Sequence, residues 1–170
     1  MRWFDEHALK TRDGGLHTLS AWDYLSASAY DDMVYDGLRR FDPAIQPGDT
    51  VFELGVGVGA VLKVLQAHVG EVRPGGCDTS TNAVNVVQEL FPSARERFMV
   101  AAMTDLRGVV ANQSYDHVLS FGALAMYLLK GEMEAALREA VRAVAQIIWR
   151  LGATTPYDQL TNSAPFYAPR

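Results

Sequence analysis

The chain has 170 residues, of which 49% are hydrophobic and 21% charged, and its formal net charge is −5. This length and composition are typical of one globular domain with its own core, and no apolar run approaches the length of a membrane span. The acidic balance argues against a general nucleic-acid binder, because neutralising phosphates takes clustered Lys and Arg. The single cysteine, Cys77, excludes an internal disulfide and fits a reducing, cytoplasmic compartment. The first six residues lack the pattern of a signal peptide.

Residues 1–48 are predicted to form a cap and a helix that cover a sheet. Residues 1–28 mix aromatic and polar side chains with two neighbouring glycines, which indicates a loop or short helices. Trp22 and Tyr24 could pack on a ligand, although such rings more often serve to cover a core. Residues 29–41 carry apolar side chains at helical spacing, and this pattern predicts a helix that packs on the sheet.

Residues 49–62 have the order of a strand, a glycine turn and a helix. The apolar run 50–52 predicts a buried strand, and the acidic Glu53 closes it. Glycines then occupy every second position, at Gly55, Gly57 and Gly59. Glycine permits a positive φ and a close approach of a ligand, and the start of a helix presents unpaired N–H groups. The stretch therefore predicts a nucleotide site, since three glycines would only weaken a purely structural turn.

Two nucleotide-binding plans fit these glycines. Gly55, Gly57 and Ala60 satisfy the dinucleotide fingerprint Gly-x-Gly-x-x-Ala, which would indicate NAD. The run Glu53-x-Gly55-x-Gly57-x-Gly59 resembles motif I of the class I S-adenosylmethionine-dependent methyltransferases. That family commonly has a helix and a Pro-Gly-Asp turn before this motif, as this chain has. The resemblance therefore favours S-adenosylmethionine, while the glycines alone leave both cofactors open.

Asp78 lies 19 positions after Gly59, where both plans place an acid at the end of the second strand. A carboxylate there accepts hydrogen bonds from the ribose hydroxyls. The alternative is a turn aspartate or a helix cap, although Thr79 or Ser80 could cap the next helix instead. Residues 76–80 are similar to the family's Gly-x-Asp-x-Ser, which implies that Asp78 and Thr79 lie at the cofactor. The preceding Pro-Gly-Gly, residues 74–76, is expected to bend or shorten the strand.

The third strand is predicted at residues 98–103. In the family an acid often follows this strand and bonds the adenine amine. One alignment puts Ala102 at that position and leaves Met103 against the adenine face, so that only backbone groups and apolar contact would hold the ring. The other alignment gives the role to Asp105. The sequence leaves both open.

Residues 115–124 predict the fourth strand and its exit loop, and they are similar to motif IV of the family. The variable residues 120–123 would face the methyl donor, which makes Phe121 a predicted cofactor contact. The Asn/Asp-Pro-Pro-Tyr/Phe signature of enzymes that methylate exocyclic or amide nitrogens is absent. Asp116 is expected to have a structural role at the start of the strand. A lone histidine such as His117 is more often structural than catalytic.

Residues 132–144 predict an amphipathic helix with Val141 on its buried stripe and with Glu139 and Arg142 on its solvent side. A fifth strand is predicted at 146–151, followed by a short tail at 152–170. That tail is too short for the helix and hairpin that follow strand five in the family. The open edge of strand five would then be covered by the tail, a second copy or a partner subunit.

The resemblance covers about residues 29–151. It implies an α/β fold in one domain, residues 1–170, whose cofactor-binding core spans 49–151. Its Rossmann-like sheet would be doubly wound and mainly parallel, with about five strands and helices on both faces, and would lack most of the usual C-terminal hairpin. The implied function is S-adenosylmethionine-dependent methyl transfer to O or N of a small molecule, with no metal and no assigned catalytic residue. The alternatives are a non-catalytic cofactor-binding subunit and, less favoured, a nicotinamide-dependent oxidoreductase.

Overall fold

The computed structural model describes residues 26–41, 43–124 and 131–143. Its α-helices are α1 (Ala27–Leu38), α2 (Ala60–Val69), α3 (Thr81–Leu90) and α4 (Met133–Ala143), and a 3₁₀ helix spans Pro92–Arg97. Its strands are β1 (Thr50–Leu54), β2 (Arg73–Asp78), β3 (Phe98–Val100) and β4 (His117–Leu119). The predictions for Trp22, Tyr24, the fifth strand and the tail lie outside these residues. No described helix is both long enough and apolar enough to cross a membrane.

The four described strands form one parallel sheet in the order β3–β2–β1–β4. Parallel neighbours need crossover connections, and helices supply those from β1 to β2 and from β2 to β3, while residues 101–116 lead to β4 without a helix. The strand order reverses at β1, where β2 lies on one side and β4 on the other. In open sheets of this kind ligands bind at the carboxyl ends of the strands beside that reversal. The predicted Rossmann-like α/β fold is confirmed, and the fold points to the carboxyl ends of β1 and β4.

Helices cover both faces of the sheet. Val51 of β1 packs in the core formed with α1, α2 and α3. Phe52 and Leu54 of the same strand pack in the second core, with Val118 of β4 and with α4. This division follows from the alternation of side chains along a strand. Such two-sided burial is expected for a parallel sheet.

The Pro-Gly-Gly segment was expected to bend or shorten β2, yet it lies within that strand, which runs over the six residues Arg73–Asp78. The N–H of Arg73 donates to the carbonyl of Asp49 at 2.8 Å, so alternation turns Pro74 towards the β3 side. Pairing with β3 begins only at Gly76, and the missing N–H of Pro74 therefore removes no ladder bond. A Cβ on Gly76 would lie 2.8 Å from the carbonyl oxygen of Glu53. Glycine is thus required there for the close approach of the glycine turn to β2.

Several predicted boundaries and faces change. The first helix ends at Leu38 and not at residue 41, and β3 ends at Val100 and not at residue 103. On α4 the prediction of faces was wrong at two positions: Glu139 is 5% exposed and Val141 is 44% exposed. Of the two residues that the sequence offered as the cap of α3, Thr79 and Ser80, the structure has Ser80, whose Oγ accepts from the N–H of Ala83 at 3.1 Å.

Candidate cofactor site

The glycine turn follows β1 directly and is anchored to β2. The N–H groups of Gly55 and Val56 both donate to the carbonyl of Cys77 at 2.9 Å. The turn closes where the N–H of Gly59 donates to the carbonyl of Val56 at 2.9 Å. The predicted strand–turn–helix geometry is therefore present, with the start of α2 facing the carboxyl edge of the sheet.

The three glycines have positive φ values of 73°, 53° and 83°, but their surroundings differ. A Cβ on Gly55 would lie 2.2 Å from the Cβ of Ala123, and a Cβ on Gly59 would lie 2.6 Å from Cγ2 of Val87. A Cβ on Gly57 would meet no described atom within 4 Å. Gly55 and Gly59 thus let protein elements pack closely, whereas Gly57 faces open space where a ligand can approach the backbone.

Asp78, at the end of β2, points into this turn. Its Oδ2 accepts from the N–H of Gly57 at 3.0 Å, and its Oδ1 accepts from the N–H of Ser80 at 2.9 Å. A carboxylate offers about four acceptor positions, so capacity remains for further donors. Thr79, between Asp78 and the cap of α3, is exposed. The structure therefore brings together the acid and the glycine that the sequence singled out.

Glu53 is 2% exposed at the carboxyl end of β1. Its Oε2 has no hydrogen-bond partner among the described residues. Burial, and then the charge of Asp78, raise the pKa of Glu53 well above its ordinary value. A buried polar atom without a partner is costly, so it marks a place where a ligand donor can be accommodated. The site thus fits a ligand with a cationic or hydrogen-bonding group near Glu53.

The segment after β3 lies beside Asp78. The N–H of Ala101 donates to the carbonyl of Asp78 at 3.0 Å, and the N–H of Asp105 donates to the carbonyl of Ala102 at 3.0 Å. Ala102 is partly buried and Asp105 is exposed. Met103 is 3% exposed, and its Cε lies 3.3 Å from where a Cβ on Gly55 would be. Met103 therefore supports the glycine turn from within the core and does not stand open to solvent.

The residues that follow β4 lie at the same carboxyl edge of the sheet. Ser120 is buried, and its Oγ donates to the carbonyl of Leu54 at 3.0 Å, which ties the ends of β4 and β1 together. Phe121 is partly buried, and its Cε2 lies 3.5 Å from where a Cβ on Gly37 of α1 would be. The ring of Phe121 thus contacts α1, and its predicted contact with a cofactor stays a prediction.

Asp116 and His117 lie at the opposite, amino end of the strands. The carboxylate of Asp116 accepts from Oγ1 of Thr50 at 2.6 Å and from its N–H at 2.8 Å, and these bonds lower the pKa of Asp116. His117 is 6% exposed, and its Nε2 lies 2.9 Å from Oδ2 of Asp49. Both residues join β4 to β1 at the far end of the sheet from the glycine turn, which confirms the structural interpretation.

Sequence reasoning missed one pair beside the site. Glu139 and Arg142 of α4 bond to the segment that follows β3, through the N–H of Leu106 and the carbonyl of Val110. Helical periodicity assigned both charges to solvent, because it cannot reveal which neighbouring loop comes back over a helix. The signal available beforehand was only that Glu139 and Arg142 are three residues apart on one helix.

The comparisons agree with this geometry. The family described as "Methyltransferase domain" matches residues 51–146. No curated protein matches the chain. Among solved structures, the Haloferax volcanii complex of the Trm112 methyltransferase activator with its methyltransferase has a TM-score of 0.61 and 27% identity. That match covers 83% of this chain and 55% of the other.

Two further structures share the fold. A protein of Methanococcus maripaludis assigned as an S-adenosylmethionine-dependent methyltransferase has a TM-score of 0.58 and 19% identity, over 83% of this chain and 59% of its own. Phosphoethanolamine N-methyltransferase 2 of Haemonchus contortus, in complex with S-adenosylmethionine, has a TM-score of 0.53 and 22% identity. That match covers 66% of this chain and 25% of the other.

The chain thus spans little more than half the length of the two archaeal structures. The family match nevertheless extends over more than half of this chain, from β1 past the end of α4. It includes the glycine turn, Asp78 and the segment after β3. The chain therefore belongs to the class I S-adenosylmethionine-dependent methyltransferase family.

Proposed function

We propose that this chain binds S-adenosylmethionine across the glycine turn and forms the cofactor-binding part of a methyltransferase. The observation that carries the proposal is the buried Oε2 of Glu53, which has no hydrogen-bond partner among the described residues and lies within the electrostatic influence of Asp78. The carboxylate of Asp78 in turn bonds to the N–H of Gly57, beside which the space is open. S-adenosylmethionine has an ammonium group at one end and two ribose hydroxyls in its middle. Two acids at the ends of neighbouring strands match those two groups.

We assign each residue a role in cofactor binding from its position in the site. Asp78 accepts from the ribose hydroxyls with the lone pairs that Gly57 and Ser80 leave free. Glu53 receives the ammonium group, which would supply the partner that its buried oxygen lacks. Gly57 lets the ligand approach the backbone.

The remaining contacts come from residues 101–105 and the exit of β4. The adenine amine bonds to the backbone around Ala102 or to the carboxylate of Asp105, which is exposed. Met103 supports this contact from the core, while Thr79 and Phe121 lie at the margins of the site. The test is whether removal of the Asp105 carboxylate weakens binding, since the backbone alternative would be unaffected.

When bound, the cofactor supplies a methyl group already activated by a sulfonium. The chain then needs only to align an acceptor behind that methyl group in a dry pocket, which is catalysis by proximity and desolvation. We assign no catalytic base. A small-molecule acceptor methylated at O or N is supported by two features. Residues 120–123 are Ser-Phe-Gly-Ala and not Asn/Asp-Pro-Pro-Tyr/Phe, and the net charge of −5 disfavours a polyanionic substrate.

The alternative is a cofactor-binding subunit that is inactive by itself. One observation favours it: the Haloferax volcanii structure is a complex with a methyltransferase activator. Under this alternative a partner subunit or a second copy completes the substrate pocket. A nicotinamide-dependent oxidoreductase is disfavoured by the family match.

Titration calorimetry with S-adenosylhomocysteine and with NADH tests the proposal. We expect binding of the former only, and a loss of at least tenfold in Asp78→Ala, about 1.4 kcal/mol. Asp36→Ala is the matched control, because Asp36 is a partly exposed acid on α1 whose ion-pair partners among the described residues are the nearby Arg39 and Arg40. Unchanged affinity in Asp78→Ala, or no heat with S-adenosylhomocysteine, would contradict the proposal. Binding without turnover on a panel of methyl acceptors would favour the subunit alternative.

A further inference from the structure

One buried acid on α4 holds the segment that follows β3. Glu139 is 5% exposed. Its Oε2 accepts from the N–H of Leu106 at 3.1 Å, and its Oε1 accepts from Nε of Arg107 at 3.3 Å. Leu106 is itself fully buried among the residues of the second core. The backbone of this segment is therefore fixed both by packing and by a charge-assisted hydrogen bond, the stronger kind.

Arg142 fixes Glu139 in turn. Its Nε and Nη2 donate to Oε2 of Glu139 at 3.1 and 2.8 Å. Its Nη1 donates to the carbonyl of Val110 at 2.7 Å and to Oδ1 of Asn112 at 2.9 Å. Burial alone would raise the pKa of Glu139, but the hydrogen bonds from Arg142, Leu106 and Arg107 together lower it. Glu139 thus holds the beginning of residues 106–112 with an ionised carboxylate, and Arg142 holds their end. We call this pair of residues the clamp.

This clamp begins one residue after the part of the segment that touches the cofactor site. Ala101 bonds to Asp78, Met103 lies against the glycine turn, and Asp105 bonds back to Ala102. Since Leu106 directly follows Asp105, a shift of the Leu106 backbone moves the acceptors at 102–105 relative to Asp78. A hydrogen bond weakens when its donor and acceptor lose their alignment, so such a shift would weaken the bonds that these acceptors make.

We infer that Glu139 is a positioning residue for adenine recognition: through the N–H of Leu106 it fixes residues 102–105, which accept from the exocyclic amine of the cofactor. The inference rests on the proposed function and deepens it. The hydrogen-bond acceptors of residues 102–105 favour adenine, because its exocyclic amine donates hydrogen bonds. They disfavour hypoxanthine, because it has at the same position a carbonyl oxygen, which only accepts. Loss of the clamp lets the segment relax, so discrimination between the two bases falls.

The test compares the affinities for S-adenosylhomocysteine and S-inosylhomocysteine by titration calorimetry. The wild-type chain is expected to prefer the adenine ligand at least tenfold, and Glu139→Ala to reduce this ratio to threefold or less. Glu139→Gln should keep most of the preference, because its amide oxygen still accepts from Leu106. The matched control is Glu134→Ala on the same helix, since Glu134 is exposed and its ion-pair partner in the described part of the chain is the exposed Arg138.

The ratio of the two affinities distinguishes a residue that positions the adenine acceptors from one that only stabilises the fold. A general loss of structure in Glu139→Ala would weaken both ligands equally, and an unchanged ratio in a folded Glu139→Ala overturns the inference. If Glu139→Ala does not fold, Arg142→Gln removes the guanidinium that orients Glu139, and an unchanged ratio there overturns it as well. A wild-type chain that binds both ligands equally refutes the inference alone, whereas one that binds neither refutes the proposed function too.

Discussion

Alanine at Gly59 should destabilise the fold more than alanine at Gly57, whereas alanine at Gly57 should weaken cofactor binding more. Both glycines lie in the left-handed region, with φ values of 53° and 83°. The methyl group of Gly59→Ala would meet Val87 Cγ2 at 2.6 Å and Phe91 Cε2 at 2.9 Å. The methyl group of Gly57→Ala would meet no described atom within 4 Å, and it would enter the space in front of the turn.

The magnitudes follow from these contacts. A left-handed conformation costs a residue with a Cβ about 1–2 kcal/mol, and we expect this destabilisation for Gly57→Ala. Overpacking adds about 1–3 kcal/mol, so Gly59→Ala should lose about 2–5 kcal/mol in total. At this chain length each kcal/mol lowers Tm by about 2–4 °C. For cofactor affinity we expect the reverse order: a loss of at least tenfold in Gly57→Ala, about 1.4 kcal/mol, and little change in Gly59→Ala.

Urea denaturation measures the first effect, and titration with S-adenosylhomocysteine at a temperature where both variants are folded measures the second. Gly108→Ala serves as a control, because this glycine has no positive φ and no described atom within 4 Å of its would-be Cβ. If Gly57→Ala bound the ligand as the wild type does, the space at Gly57 would not be the cofactor site. If Gly59→Ala were no less stable than Gly57→Ala, the close packing of the turn on α3 would not matter energetically.

Three further predictions concern buried or paired groups. Because the pKa of Glu53 is raised in the folded state, the folded chain keeps a proton that the unfolded chain releases. The stability of the wild type relative to Glu53→Gln should therefore fall by up to about 1.4 kcal/mol per pH unit as pH rises above about 5. The measurement is the urea unfolding midpoint of both proteins as a function of pH, and midpoints that change in parallel would refute this. Burial raises the pKa of the Cys77 thiol to about 12, so iodoacetamide should label this thiol only on unfolding. Because a ligand of the folded state reduces the unfolded population, S-adenosylhomocysteine at 100 times its Kd should slow this labelling about 100-fold. Asp116→Ala removes the acceptor of two exposed hydrogen bonds from Thr50, which water can partly replace, and should cost about 0.5–1.5 kcal/mol in stability, with cofactor affinity unchanged in calorimetry.

What the sequence determined by itself was local. The glycine turn was predictable because a positive φ is a property of the single residue that adopts it. A cap of α3 at Thr79 or Ser80 was predictable because a hydroxyl oxygen reaches an N–H three residues ahead on the same chain, as Ser80 does in the structure. The resemblance of residues 53–59 and 76–80 to the family's motifs implied the Rossmann-like parallel sheet, which the structure has. Both nucleotide-binding patterns also place an acid at the end of the second strand, and Asp78 at that position bonds to Gly57.

What only the tertiary structure decided depends on contacts between distant segments. The Pro-Gly-Gly of β2 tolerates its proline because β3 begins to pair two residues later, and Gly76 is needed because the glycine turn comes within contact of it. Glu139 is buried because residues 106–112, about 30 positions away, fold back over α4 and offer it donors. A helical period assigns a charge to one face, but the energy of that charge depends on which backbone groups meet it there.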